Sequence, residues 1–195
     1  MSWATLLRVF RQPGIHVVYG QAGSCKTGFS LNVCLSASRS SRVLYVGLAR
    51  HSLIHPRENS NLIVVGIPNL KSEMRFLLGL DLIPSDVGGI IYDSFSAYFI
   101  PLRFYMRESS IAKLQLFALS KLYSTAQTRN IPVILTVQEV SGKKPLAFRV
   151  LKRYSRDFTR LEKTGEKIIA HVYDKNLEER FSVTYGECRP STSPA

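Results

Sequence analysis

A run of small and polar residues near the start of the chain has the composition of a phosphate-binding loop. It follows the pattern G-x-x-x-x-G-K-[ST], except that cysteine stands at the second glycine position. In such a loop backbone N–H groups face phosphate oxygens, a lysine reaches the outer phosphates, and a hydroxyl binds Mg²⁺. A small side chain at the glycine position costs roughly 1 kcal/mol. The candidate cofactor-binding residues are Gly20, Gln21, Ala22, Gly23, Ser24, Cys25, Lys26 and Thr27.

Two further polar residues end apolar runs farther along the chain. Asp93 follows the run that begins at residue 87, and Gln138 follows the run at residues 131–137. A carboxylate at the carboxyl end of a strand beside a phosphate loop can hold Mg²⁺, directly or through water. The alternative for Asp93 is a residue that starts a turn, and an isolated glutamine would carry little meaning. Ligands of parallel sheets bind where these strands end, which favours the functional interpretation of both residues.

The elements that must position these residues alternate along the chain. Apolar runs rich in β-branched residues predict strands at 15–19, 42–47, 61–67, 87–94 and 131–137, and helical patterns occur at 71–80 and 109–127. This alternation predicts a parallel sheet covered by helices. Alternating segments at 152–161, 167–173 and 181–185 predict an antiparallel extension of the sheet edge. We expect a single core domain at residues 1–188 and a disordered tail at residues 189–195.

The composition indicates a polyanionic partner. The 195 residues are 45% hydrophobic, enough for one α/β domain with a core, and carry a formal net charge of +12. Nucleic acid is the simplest partner for that charge. The alternative is that the charge only keeps the protein soluble, although a chain of this size needs less net charge for solubility.

Cysteine use and hydropathy bear on the compartment. The three cysteines have neither metal-ligand spacing nor an even number, which favours a reducing, cytosolic location. No apolar run reaches the roughly 18 residues of a membrane span, and the first residues do not resemble a signal peptide. Because Cys25 precedes the helix that follows the loop and is adjacent to Lys26, we expect it to be a reactive thiol that bound nucleotide protects. The alternative is a small residue that the loop merely tolerates where function is relaxed.

In order and spacing, these segments resemble the ATPase core of the RecA family, most closely the archaeal RadA and RadB branch of recombinases and their paralogues. The resemblance extends from about residue 14 to about residue 186 and rests on residues 20–27, 90–94, 136–138 and 167–174 together with the helix after Arg107. It implies a RecA-like P-loop NTPase core, a mostly parallel sheet flanked by helices with antiparallel C-terminal strands. It also implies ATP and Mg²⁺ as cofactors, Lys26 and Gln138 as catalytic residues, and Thr27 and Asp93 as metal-binding residues.

The chain departs from this family at the position of its water-activating glutamate. Ala49 occupies that position, shortly after the strand at residues 42–47. Loss of a positioned general base typically costs about 10²- to 10⁴-fold in rate, so we expect slow hydrolysis or none. The chain also begins only about thirteen residues before its first strand, which argues against an independent strand-exchange enzyme with a helical N-terminal DNA-binding domain.

Two segments are candidates for DNA contact, at the places where the family projects loops. Residues 98–107 mix aromatic side chains with Arg103 and Arg107, a composition suited to base stacking or, alternatively, to an apolar subunit interface. Residues 141–163 carry eight basic and two acidic side chains, half of the formal net charge. The candidate DNA-binding residues are Arg103, Arg107, Lys143, Lys144, Arg149, Lys152 and Arg153.

The leading functional hypothesis is a RecA/RadA-like recombinase paralogue that binds ATP, hydrolyses it weakly or not at all, binds DNA, presumed single-stranded, and assists homologous recombination and repair. Its expected partners are DNA and the main RadA-type recombinase, and its expected location is cytoplasmic and nucleoid-associated, without a membrane. Self-association is left open. The alternatives are a nucleotide-independent DNA-binding adaptor on a decayed ATPase fold and a KaiC-like signalling ATPase.

Overall fold

The computed structural model describes residues 1–38, 41–48, 60–140 and 143–187. Within these residues the helices are α1 (Trp3–Phe10), α2 (Lys26–Ser38), α3 (Leu70–Leu78), α4 (Phe99–Leu102), α5 (Glu108–Arg129) and α6 (Phe148–Leu151). The strands are β1 (Gly14–Gly20), β2 (Arg42–Leu48), β3 (Leu62–Ile67), β4 (Val87–Asp93), β5 (Pro132–Val140), β6 (Lys144–Pro145), β7 (Ser155–Thr164), β8 (Lys167–Tyr173) and β9 (Glu179–Glu187).

All nine strands of the described residues belong to one sheet. Its order is β3-β2-β4-β5-β1-β7-β8-β9, and β6 pairs separately with β5. The pairs from β3 to β7 are parallel, whereas β8 is antiparallel to both of its neighbours, β7 and β9. The predicted fold class, a mostly parallel sheet with helices and antiparallel C-terminal strands, is therefore confirmed.

The parallel strands give the sheet two distinct ends. β1, β2, β4 and β5 all end at one side, which we call the carboxyl edge, and begin at the other, which we call the amino edge. Because β1 has seven residues and a strand rises about 3.3 Å per residue, the two edges lie roughly 20 Å apart. Every residue of β1 is buried, in agreement with a central parallel strand.

Helices cover both faces of the sheet. One apolar layer contains Phe10, Phe29 and Tyr45 and lies under α1 and α2. The other contains Tyr92, Leu119 and Phe158 and lies under α3 and α5. Since side chains alternate along a strand, neighbouring residues of β4 such as Tyr92 and Asp93 point to opposite faces of the sheet.

The structure corrects some of the expected element boundaries and adds a helix. The pattern analysis assigned no helix before β1, whereas α1 occupies residues 3–10 and buries Leu6 and Phe10. The strand predicted at residues 152–161 begins later, at Ser155, because residues 152–154 form turns after α6. The predicted disordered tail, residues 189–195, lies outside the described residues. Among the described helices, none is long and apolar enough to cross a membrane.

Candidate functional site

The predicted phosphate loop joins β1 to α2 at the carboxyl edge. The Lys26 ammonium group donates hydrogen bonds to the carbonyl oxygens of Gly20, at 3.0 Å, and Gln21, at 2.7 Å. Cys25 has a φ of +60°, in the left-handed region where a side chain is strained. The usual glycine at this position therefore has a conformational reason, and cysteine is accommodated at a cost in free energy.

Cys25 is disulfide-bonded. The expectation of a reactive thiol at this position is therefore wrong for this structure. Cys34, in α2, is a free and fully buried cysteine, and burial raises the pKa of its thiol to about 12. Neither sulfur is thus an exposed thiolate in the form described.

Asp93 lies at the centre of a hydroxyl network at the end of β4. Its Oδ2 accepts hydrogen bonds from the Thr27 hydroxyl, at 2.5 Å, and from the Tyr45 hydroxyl, at 2.8 Å. Its Oδ1 accepts one from the Thr136 hydroxyl of β5. These four residues come from α2, β2, β4 and β5, and the fold thus brings together the predicted metal-binding residues Thr27 and Asp93.

Tyr45 is a site residue that the sequence analysis missed. Its side chain is 1% exposed, and its ring lies over Gly47, where an added Cβ would come within 2.7 Å of the ring. Because Gly47 has no side chain, the Tyr45 ring has room to reach Asp93, the residue of β4 that is paired with Gly47. The missed signal was the alternation along β2, which places Tyr45 and Gly47 on the same face.

Gln138 lies beside the phosphate loop, as predicted, because it is paired with Gly20 across β5 and β1. The next residue, Glu139, accepts hydrogen bonds from Arg160 of β7, the shorter at 2.9 Å. Burial lowers the pKa of Lys26, and the charges of Asp93 and Glu139 partly oppose that shift. Glu139 and Arg160 were not predicted as site residues, since only the β5-β1-β7 order brings them together.

A polar cavity of about 420 Å³ opens between the phosphate loop and the β7–β8 turn. It is lined by Gln21, Ala22, Gly23, Ser24, Arg160, Leu161, Glu162, Lys163 and Gly165. Within this lining, the Ser24 hydroxyl is buried and has no hydrogen-bond partner among the described residues. A volume in the range of small-molecule sites, next to the loop, leaves room for the rest of a nucleotide.

Glu73 of α3 is a buried acid near the same edge. One carboxylate oxygen accepts a 2.5 Å hydrogen bond from the Tyr92 hydroxyl, and the other has no partner among the described residues. Burial raises the pKa of Glu73 to about 7, against the effect of that hydrogen bond. Because Tyr92 points to the face opposite the Asp93 carboxylate, Glu73 lies on the other side of the sheet from the hydroxyl network.

The residues at the end of β4 fit a magnesium ion that bound phosphates help to coordinate. Mg²⁺ prefers oxygen ligands and commonly uses one or two protein groups plus phosphates and water. Thr27 and Asp93 supply such oxygens side by side. No cluster of three or more His, Cys, Asp or Glu residues suited to a metal ion occurs in the described residues, so the protein would not supply a full ligand set there.

The predicted DNA-binding residues are all exposed, but they lie in separate places. Arg103 and Arg107 flank Phe104 and Tyr105, whose side chains are each 85% exposed. Lys143 and Lys144 follow the end of β5 at the carboxyl edge. Arg149 lies in α6, and Lys152 and Arg153 come just before β7 starts at the amino edge, since Ser155 is paired with Ile15. Ala49, at the predicted position of the missing glutamate, lies outside the described residues.

The fold is similar to that of a recombinase of known structure. The crystal structure of the RadB recombinase superposes with a TM-score of 0.71, at 21% sequence identity, over 91% of this chain and 88% of that chain. At this identity the likeness establishes the fold, a RecA-like core. No protein-family model matches the chain, and no curated protein matches its sequence.

Proposed function

We propose that the chain is a RecA-like recombinase paralogue, of the archaeal RadA and RadB kind, that binds ATP with Mg²⁺ and turns it over slowly or not at all. The observation that carries the proposal is the contact between Thr27 and Asp93 beside the phosphate loop. Lys26 would hold the outer phosphates, and the cavity lined by Ser24 would take the remainder of the nucleotide. Mg²⁺ would neutralise phosphate charge at Thr27 and Asp93.

Slow turnover is supported by the hydrogen bonds and ion pairs that the two carboxylates near Lys26 form. Asp93 accepts hydrogen bonds from three hydroxyls, and Glu139 is paired with Arg160. Neither is therefore available to take a proton from water, and Ala49 supplies no carboxylate in the place of the family's glutamate. Gln138 remains a candidate for orienting groups near the phosphates.

The second part of the proposal is sequence-independent DNA binding in support of homologous recombination and repair, with the main RadA-type recombinase as a partner. A net charge of +12 and the exposure of all seven predicted DNA-binding side chains support it. A cytoplasmic, nucleoid-associated location would follow. The disulfide at Cys25 fits this location in a hyperthermophile, whose intracellular proteins are rich in disulfides, whereas cytosolic disulfides are rare in other organisms.

Filter binding with labelled ATP and Mg²⁺ tests the first part. We expect binding by the wild type, loss of at least about a hundredfold in affinity in Lys26→Ala, and no change in Lys71→Ala, an exposed lysine of α3. Turnover should lie far below the typical ~10 per second. No nucleotide binding at millimolar concentration would favour the DNA-binding adaptor, and ATP binding without any salt-sensitive DNA binding would favour a signalling ATPase.

A further inference from the structure

Two tyrosines meet near the amino edge, on the side of the sheet covered by α5. Tyr123 belongs to α5, and Tyr154 lies in the turn that precedes β7. Their ring centroids are 5.7 Å apart with the planes inclined at 60°, and the Tyr123 side chain is 40% exposed. An aromatic surface of this kind is available to a flat ligand.

Exposed cations surround this tyrosine pair. Lys152, Arg153 and Arg156 are all exposed, and none of them forms an ion pair with a described residue. The Arg156 side chain lies next to Gly14, the first residue of β1, which places it at the amino edge. Lys152 donates a hydrogen bond to the side chain of Asn176 and is thereby held at the same edge.

The rest of the amino edge differs in its charge balance. Beside β2 and β4, Arg42 is paired with Asp86, and Lys121 approaches Asp81 at 3.7 Å. On the other side of the cations, the Asp174 carboxylate accepts backbone N–H bonds within its own turn. Beside the tyrosine pair, by contrast, Arg153 and Arg156 have no carboxylate within ion-pair distance among the described residues, and Lys152 feels only the longer-range charge of Asp174.

We infer that this part of the amino edge is a second contact for single-stranded nucleic acid, separate from the loops at the carboxyl edge. Tyr123 and Tyr154 stack with unpaired bases, and Lys152, Arg153 and Arg156 hold the flanking phosphates. Unpaired bases are required because the bases of a duplex do not offer their faces to side chains. The inference rests on the proposed DNA binding and adds where a strand lies, roughly 20 Å from the phosphate loop.

Stacking is tested first, by fluorescence anisotropy with a labelled oligothymidine. We expect Tyr123→Ala to weaken binding about tenfold and Tyr123→Phe, which keeps the ring, to leave it unchanged. An abasic oligomer of the same length should bind wild type and Tyr123→Ala equally. Equal affinity of wild type and Tyr123→Ala for oligothymidine would overturn the stacking contact. Circular dichroism and ATP binding of each variant show whether the fold is kept.

Phosphate contact is tested by the salt dependence of the same binding. Replacing Arg153 and Arg156 by alanine should reduce the slope of log affinity against log salt by about 1.4, since each single-strand phosphate contact contributes about 0.7. The double variant Lys71→Ala/Arg75→Ala removes the same charge from α3 and should leave the slope unchanged. If both double variants behave alike, the cations at the amino edge contact no phosphate.

Photo-crosslinking with 5-iododeoxyuridine in the oligomer decides the location directly. We expect crosslinked peptides that contain Tyr123 or Tyr154. Crosslinks confined to residues 98–107 would overturn the inference while leaving the proposed DNA binding intact. Absence of any salt-sensitive binding by the wild type would overturn both, so the two failures are distinguishable.

Discussion

Beside the phosphate loop, at the carboxyl edge of the sheet, charged and polar side chains are held against one another, whereas the cations beside the tyrosine pair, at the amino edge, face water. Asp93 is bound by three hydroxyls, and Arg160 is paired with Glu139 and Glu162. Arg153 and Arg156, at the other edge, have no carboxylate partner among the described residues. The first arrangement suits one compact ligand in a fixed geometry.

The second arrangement suits a long, flexible polyanion. Exposed cations gain affinity mainly by releasing counterions, and they discriminate little between sequences. Under the proposed function, similar basic residues in one continuous segment of the chain therefore have different physical roles according to the edge at which they lie. The net charge of a segment therefore does not by itself define a binding surface.

The largest effect is expected from the ion pair that ties β7 to β1 beneath the amino edge. His16 and Asp157 are buried, with Nδ1 2.9 Å from a carboxylate oxygen, and Nε2 donates to the Gln12 carbonyl at 2.8 Å. Asp157→Asn should lower the free energy of unfolding by about 3 kcal/mol, because it leaves a buried imidazolium without its counter-charge. Asp86→Asn, in an exposed ion pair that solvent screens, should lower it far less. Urea denaturation measures both.

The pH dependence of the stability lost in Asp157→Asn gives a sharper test of the buried ion pair. Burial alone would lower the pKa of His16, but the charge of Asp157 and the hydrogen bonds outweigh it, and the pKa is raised. The pair's stabilisation is therefore fully present below pH 6.5 and is lost as pH rises through the raised pKa. Asp157→Asn should accordingly cost more at pH 6 than at pH 9, and a cost that grows with pH would contradict the protonated pair.

The next largest effect is expected at the carboxyl edge. Asp93→Asn should remove most of the Mg²⁺-dependent gain in ATP affinity, about a hundredfold, because the amide carries no negative charge for the ion. Tyr45→Phe removes one hydrogen-bond donor to Asp93 and should cost about fivefold. Isothermal titration with and without Mg²⁺ gives both values. The salt slope of DNA binding should not change in either variant if the two edges are independent.

Glu73 provides a smaller test of burial near the carboxyl edge. Its pKa of about 7 exceeds the ordinary 4.5, so the folded protein binds this proton more tightly than the unfolded chain does. Its contribution to stability is therefore highest below about pH 4.5 and falls as pH rises toward 7. Glu73→Gln should be more stable than wild type by roughly 2 kcal/mol at pH 8 and equal to it at pH 4. Thermal unfolding at both pH values tests this, and equal melting at pH 8 would speak against a buried carboxylate.

The smallest effect concerns the disulfide at Cys25. Iodoacetamide should modify neither Cys25 nor Cys34 in the oxidised protein, and Cys25 should react once a reductant is added. Mass-spectrometric peptide mapping with and without reductant measures this, and buried Cys34 is the internal control. Labelling of Cys25 before reduction would show that the thiol is free in solution.

The elements that depend on local patterns were predicted well from the sequence. The helix expected at residues 109–127 is α5, Glu108–Arg129, because its apolar positions recur at helical spacing. The strand expected at residues 167–173 is β8, Lys167–Tyr173, because its side chains alternate between faces. By contrast, α1 was missed although its buried residues Leu6 and Phe10 stand four positions apart, a helical spacing that the sequence does show.

The sequence by itself determined the residue types of the phosphate loop, the acid that ends β4 and the α/β alternation, because each depends on residues close together in the chain. Only the tertiary structure decided that Tyr45 and Thr136 bind Asp93 and that Glu139 meets Arg160. It also decided that the basic segment is divided between two edges of the sheet. These contacts depend on strand order and register, which are set by burial across the whole sheet and leave no signal within any one segment.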